Sequence, residues 1–182
     1  MAVSLSASSS CSAPKPTLSD PVPVFLGIDH GTRRVGIAVS DPDAAFAFAL
    51  ETHVEGRDGS LLDLLARLVA ERGAEAVIVG LPLTADGREG ESAVRARRFA
   101  DRLAEVLPVP VQMWDERYTS QEADRFLAPR SGRGKVDRAK GERDAVAAEL
   151  ILQGWLDRRK ADLVRAADAA READPGDDGG AA

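Results

Sequence analysis

The hydrophobic period of this chain changes near residue 58, and that switch limits its fold more than any other feature. Upstream, Val24-Phe25-Leu26-Gly27-Ile28-Asp29 is a short apolar run ending in an acid, Val35 to Ser40 is a second run, and Ala44 to Leu50 is a third. The turn-like His30 to Arg34 separates the first two, and Asp41-Pro42-Asp43 separates the second from the third. Three short runs with such tight connections predict an antiparallel β-meander. Downstream, Leu61, Leu64, Leu65, Leu68 and Val69 recur at helical spacing, with Asp58 or Ser60 as candidate cap and Gly73 as the stop.

Strands and helices then alternate. Ala76 to Gly80 is apolar throughout, as a central parallel strand must be. A helix follows over Glu91 to Leu107, with Val94, Phe99, Leu103 and Val106 turned to the core. Val109 to Trp114 reads as a fifth strand running into Asp115-Glu116. A short helix is expected from Thr119 to Leu127, since Thr119 and Glu122 have capping-box spacing. A Gly- and Arg-rich loop spans Pro129 to Val136, and a long helix starts near Ala139 or Glu142 and reaches Lys160 or beyond. With the short helix set aside, the order is βββαβαβα: an α/β domain with a mixed five-stranded sheet flanked by helices.

The 182 residues, 44% of them hydrophobic, fit one domain with one core. No apolar run is long enough to span a bilayer, so no membrane partner is expected. Residues 1–22, rich in Ser, Ala and Pro, lack a basic start and an apolar stretch, and are read as a disordered tail rather than a signal peptide. The domain proper is expected over 23–160. Residues 161–182 form a helical extension and an acidic disordered tail. The single cysteine, Cys11, can make no intrachain disulfide, which fits a reducing cytoplasm.

A net charge of −6 speaks at first against nucleic acid, but its distribution points the other way. From Asp168 onward, five acids face Arg171 alone; from Arg125 to Arg143, seven bases face Asp137 and Glu142, a local charge of +5.

Three acids stand where chemistry could use them. Asp29 ends the first strand between Gly27 and Gly31, Glu116 follows the fifth strand, and Asp144 lies near the start of the last helix. Ligands of α/β sheets gather beyond strand ends, where two such acids can meet and a helix start can bring a third. Singly, each has an ordinary explanation as turn punctuation, a surface ion pair or a favourable acid in a first helical turn. Clustered, they need cations, and hard oxygen ligands suit Mg²⁺ or Mn²⁺. Neither His30 nor His53 has a partner at metal-ligand spacing. Two such ions could drive an in-line phosphodiester displacement.

Leu26 to Ser40 resembles the opening of the YqgF family, also called RuvX or Holliday-junction-resolvase-like proteins. Val79-Gly80-Leu81-Pro82-Leu83 with Asp86-Gly87 is similar to the family's next motif, Arg95 to Ala100 to its basic helix, and Asp115 to Ser120 to its acidic-arginine motif. Lys140 with Asp144, Ala147, Ala148, Ile151 and Leu152 resembles its C-terminal helix. The resemblance runs from Val24 to Leu156 in order. It implies a ribonuclease-H-like fold and a divalent-metal nuclease with Asp29, Glu116 and Asp144 as catalytic metal ligands. It also implies work on the 5′ end of pre-16S ribosomal RNA, so that RNA is favoured over DNA as partner. A monomer or homodimer is expected.

Other residues have smaller claims. Gly27 and Gly31 could admit a backbone phosphate, or merely shape turns. Arg117 could orient Glu116, bind phosphate or form an internal ion pair. Arg95 and Arg98 share a helix face and could bind phosphates. Arg133, Lys135, Arg138 and Lys140 belong to the basic segment, read as a substrate clamp. Trp114 and Trp155 are expected in the core, and His30 in a partly exposed turn. Two other enzyme readings remain: a nuclease for DNA four-way junctions with the same site, and an actin-like ATPase or sugar kinase, which needs a second such domain. A metal-free RNA-binding module would gain nothing from concentrated acids.

Overall fold

A computed structural model of the chain describes residues 23–54, 56, 59–84, 86–117 and 140–173. Its elements are β1 (Val24–His30), β2 (Arg34–Ser40), β3 (Ala47–Val54), α1 (Ser60–Arg72), β4 (Ala74–Leu81), α2 (Glu91–Val106), β5 (Val111–Asp115) and α3 (Lys140–Ala173). The expected short helix at 119–127 and the loop at 129–136 lie outside the described residues.

The strands form one mixed sheet in the order β3-β2-β1-β4-β5. β1, β2 and β3 are the expected antiparallel meander, while β4 and β5 run parallel to β1. Each of those parallel strands is entered from a helix, α1 before β4 and α2 before β5. A three-stranded meander extended by two parallel crossover strands is the ribonuclease-H-like architecture that the resemblance implies. Among the described residues there is a single such sheet, so the second domain of an actin-like kinase is not found in them.

Strand alternation divides the side chains between two layers. Leu26, Ile28, Val35, Ile37, Val77 and Val79 face α1 and α2, where Leu65, Phe99 and Leu103 complete the larger core. Phe25, Ala38, Ala76 and Ile78 face α3 and its Ala148, Ile151, Leu152 and Leu156. This second face has a floor of small residues, which lets α3 lie very close to the sheet. A Cβ on Gly27 would stand 2.6 Å from that of Leu152.

Several boundaries differ from expectation for identifiable reasons. β3 starts at Ala47, not Ala44, because the Asp41 carboxylate accepts hydrogen bonds from the backbone N–H groups of Ala45 (2.7 Å) and Phe46 (3.0 Å). Ala44 there has a left-handed φ of 51°, so 41–46 is a turn. The cap position of α1 is Gly59, Ser60 is already helical and Asp58 lies outside the described residues; Gly73 closes the helix in the left-handed conformation. On α2 the buried stripe is Ala93, Ala96, Phe99, Ala100 and Leu103. Val94 and Val106, expected inside, are exposed, because alanines give little hydropathy signal for the true stripe.

Candidate active site

Each acid is delivered to the α3 side of the sheet by a different element. Asp29 shares its face with Phe25 and Gly27. Its neighbour His30 points the other way and stacks on Phe99 of α2, ring centroids 4.3 Å apart, so it belongs to β1 and not to a turn. Glu116 follows the end of β5 and is tied to β4 by its backbone N–H, which donates to the Leu81 carbonyl at 3.3 Å. Its carboxylate lies over Gly80, where a Cβ would come within 2.6 Å of Oε1. Asp144 comes from the first turns of α3, whose backbone is pressed on Gly36: a Cβ there would stand 1.8 Å from the Asp144 carbonyl oxygen. Gly36 is paired directly opposite Asp29 in the β1–β2 ladder. The third acid therefore lands beside the first.

The charges register this crowding. Burial, and then the Asp144 charge, push the Asp29 carboxyl above its ordinary value. Burial first, then the charges of Asp29 and Asp115, push Glu116 up from 4.5 to about 7. One Asp144 oxygen, Oδ2, is buried without a hydrogen-bond partner. The Arg34 guanidinium stands 3.6 Å from it, an ion pair without a hydrogen bond. Among the described residues, no three acids, histidines or cysteines stand close enough together to hold a metal ion as they are placed. The chemistry of the donors nevertheless suits a hard divalent cation: three carboxylates, two with raised proton affinity and one whose buried Oδ2 lacks a hydrogen bond and is answered by Arg34 at 3.6 Å.

That strain has a measurable sign. A carboxyl whose folded value is raised costs nothing below its unfolded pKa, and the penalty grows until pH passes the folded value. In chelator, Glu116→Gln should therefore be no more stable than wild type near pH 4.5. Its advantage should grow to about 1–2 kcal/mol by pH 7, after discounting for a part-exposed group. Melting curves between pH 4.5 and 8 check this; a pH-independent difference would refute the assignment.

The other expected residues fall variously. Arg117 binds Asp115, not Glu116, through Nε (3.1 Å) and Nη2 (2.7 Å), and this guanidinium holds the Asp115 carboxyl below its usual range. Arg95 is exposed on α2, bonded to Ser92 at 2.8 Å and 3.8 Å from Glu91, while Arg98 is exposed nearby. Gly31 serves the β1–β2 turn, its N–H donating to the Arg34 carbonyl at 2.9 Å. Lys140 opens α3. Arg133, Lys135 and Arg138 lie outside the described residues. Trp114 and Trp155, expected in the core, are only half-buried. Sequence reasoning missed Arg34, Gly36 and Gly80. Glycine inside a strand is a known sign of close backbone approach, and that signal was present at both glycines.

The mixed sheet, with its order β3-β2-β1-β4-β5, defines a ribonuclease-H-like fold. More narrowly, the chain belongs to the RuvX family, described as Holliday junction resolvase, whose profile matches residues 23–158. A relative from Chloroflexus aggregans named "Putative pre-16S rRNA nuclease" is 46% identical over 136 residues, 75% of this chain and 94% of its own. A relative of the same name from Mycolicibacterium paratuberculosis is 47% identical over 144 residues, covering 79% and 85%. Thermus thermophilus RuvC is a looser likeness: TM-score 0.47 and 18% identity over 76% of this chain and 96% of that one, too distant to bear on function.

Proposed function

We propose that the chain is a divalent-metal-dependent nuclease that hydrolyses phosphodiester bonds of RNA, acting in 5′-end maturation of pre-16S ribosomal RNA in the cytoplasm. The name shared by its relatives supports the substrate. The observation that carries the chemistry is the placement of Asp29, Glu116 and Asp144 on one face of the sheet, where burial and neighbouring carboxylate charges raise the proton affinity of Asp29 and Glu116.

Asp29, Glu116 and Asp144 would hold Mg²⁺ or Mn²⁺, two ions in all. When bound, these supply Lewis-acid stabilisation of the charge that builds on phosphoryl oxygens. The chain itself supplies position. β1 fixes Asp29 at the centre, Gly80 gives the Glu116 carboxylate its seat, and Gly36 lets α3 bring in Asp144. Arg34, half-exposed beside Asp144, places a positive charge where a substrate phosphate would arrive.

The test is incubation with labelled pre-rRNA, single-stranded RNA, single-stranded DNA and a four-way DNA junction, each with Mg²⁺, Mn²⁺, Ca²⁺ or chelator. Cleavage of RNA with Mg²⁺ or Mn²⁺, and none with chelator, is expected. Cleavage of the junction alone would transfer the activity to DNA, the reading that the family's description favours. Cleavage of none would overturn the nuclease reading.

The basic segment Arg125–Arg143 is proposed as a substrate clamp, supported by its charge of +5 and its lead into Asp144. Its reach survives the acidic tail because screening confines that tail's field to ~8 Å at physiological salt. Arg95, Arg98, Arg117 and Lys140 are proposed as further phosphate ligands, Arg95 and Arg98 from α2 on the other face of the sheet. Replacing Arg133, Lys135 and Arg138 with Ala should weaken RNA binding across sequences. The slope of log affinity against log salt should shrink by ~0.7 for each phosphate no longer neutralised. An unchanged slope at normal affinity would remove the clamp.

A further inference from the structure

Beyond the acids, the face covered by α3 continues into an open groove of about 470 Å³ between the β5 edge and the second half of α3. Among the described residues no strand pairs with the outer side of β5, and the groove lies along that edge of the sheet. Trp114 and Trp155 line it, with Arg158, Arg159 and Asp162. Trp114 is two residues before Glu116, so the groove begins ~7 Å along the strand from that acid.

The groove is built rather than merely open. The Trp155 indole is fixed by its Nε1–H, which donates to the Gln112 Oε1 of β5 at 3.2 Å, and by the Phe25 ring, 4.8 Å away at 56°. The Arg159 guanidinium lies over Phe25 (5.0 Å) and Trp155 (6.0 Å), and no described carboxylate pairs with it. The one acid in the lining, Asp162, is already matched by Arg158 at 3.2 Å and Arg165 at 2.9 Å. Arginines thus outnumber carboxylates around two indole rings, one of them rigidly held. Aromatic faces with adjoining guanidinium groups suit unpaired bases strung on phosphates: every base has a face to stack, and no base sequence is read. A duplex keeps its bases stacked on one another and cannot use such a surface.

We propose that this groove is a base-stacking subsite for single-stranded RNA, holding nucleotides of the strand whose scissile phosphate lies at the acids. It rests on the nuclease reading for its continuity with the site, but its binding can be measured without cleavage. The chain has two tryptophans and both line the groove, so selectively excited tryptophan emission reports on this surface.

The experiment titrates the full chain, in chelator, with a twelve-nucleotide single-stranded RNA of mixed sequence, following tryptophan emission and, separately, the anisotropy of a labelled copy. Saturable quenching is expected, with little from a duplex of the same sequence or from an abasic strand of equal length. Trp155→Leu and Arg159→Gln should each weaken binding roughly tenfold, and Trp155→Tyr should recover most of the loss. At saturating RNA with Mn²⁺, cleavage by Arg159→Gln should keep its kcat and lose in KM. Arg159→Gln shortens a half-buried polar side chain and removes no core volume, so it tests the proposal even if Trp155→Leu fails to fold. Equal affinity in Arg159→Gln and wild type, or RNA binding that leaves the tryptophans unquenched, would overturn the subsite. Emission that changes on dilution without RNA would also overturn it, by giving the groove to a second copy of the chain. Quenching without cleavage under any metal would sink the nuclease reading and leave the subsite standing; cleavage with unquenched tryptophans would do the reverse.

Discussion

Asp29→Asn is expected to lower RNA cleavage by at least about 10³-fold at saturating substrate and Mn²⁺, which corresponds to about 4 kcal/mol of transition-state stabilisation. Asp29 is the acid through which the other two are linked. Its own carboxyl feels Asp144, and its charge raises Glu116. An amide in its place keeps the shape but removes a ligand charge that no neighbour on β1 can replace. The same substitution removes one source of repulsion, so the metal-free protein should melt no lower than wild type. Glu116 should also titrate below its wild-type value of about 7. Glu116→Gln and Asp144→Asn should be similarly inactive. Cleavage, chelated melting curves and a carboxyl titration by NMR separate the possibilities. Near-normal cleavage in any one variant would remove that residue from the catalytic set, and loss of folding in all three would make the acids structural.

The acids are legible in the sequence because strand ends and helix starts can be located from hydrophobic period alone. Val24 to Asp29 and Val109 to Glu116 each carry an apolar run into an acid, and the family motifs fix which acid counts. What stays hidden is which face each element presents to which helix. Nothing in the local pattern says that α3 lies against Gly27, Gly36 and Gly80, because that packing joins segments more than 60 residues apart in sequence for every one of them. Trp155 departs from expectation for a related reason. It sits among apolar helix residues, yet it lies at the margin where α3 leaves the sheet, and a margin has no local signature. The start of β3 is displaced by a side chain: the Asp41 carboxylate takes up backbone donors that hydropathy cannot see.

The glycine seats give the second large effect. In Gly36→Ala the added methyl would lie 1.8 Å from the Asp144 carbonyl oxygen and 2.9 Å from the Ala145 nitrogen. Both are helix backbone, so no rotamer change relieves the clash and the start of α3 must lift from β2. Overpacking of this kind costs about 1–3 kcal/mol. The larger consequence is positional: a shift of ~1 Å at a catalytic group can cost ~10²-fold in rate. Gly36→Ala should therefore lower cleavage about 100-fold while losing only a few degrees of melting temperature. Gly73→Ala is the matched control. Its φ of 62° makes alanine costly by about 1 kcal/mol, but its Cβ would meet nothing and it closes α1, on the opposite face. Similar destabilisation with normal cleavage in Gly73→Ala, against deep loss in Gly36→Ala, would show that the seat acts on Asp144 and not on stability at large. Equal cleavage in the two variants would mean that α3 reseats Asp144 without help from Gly36.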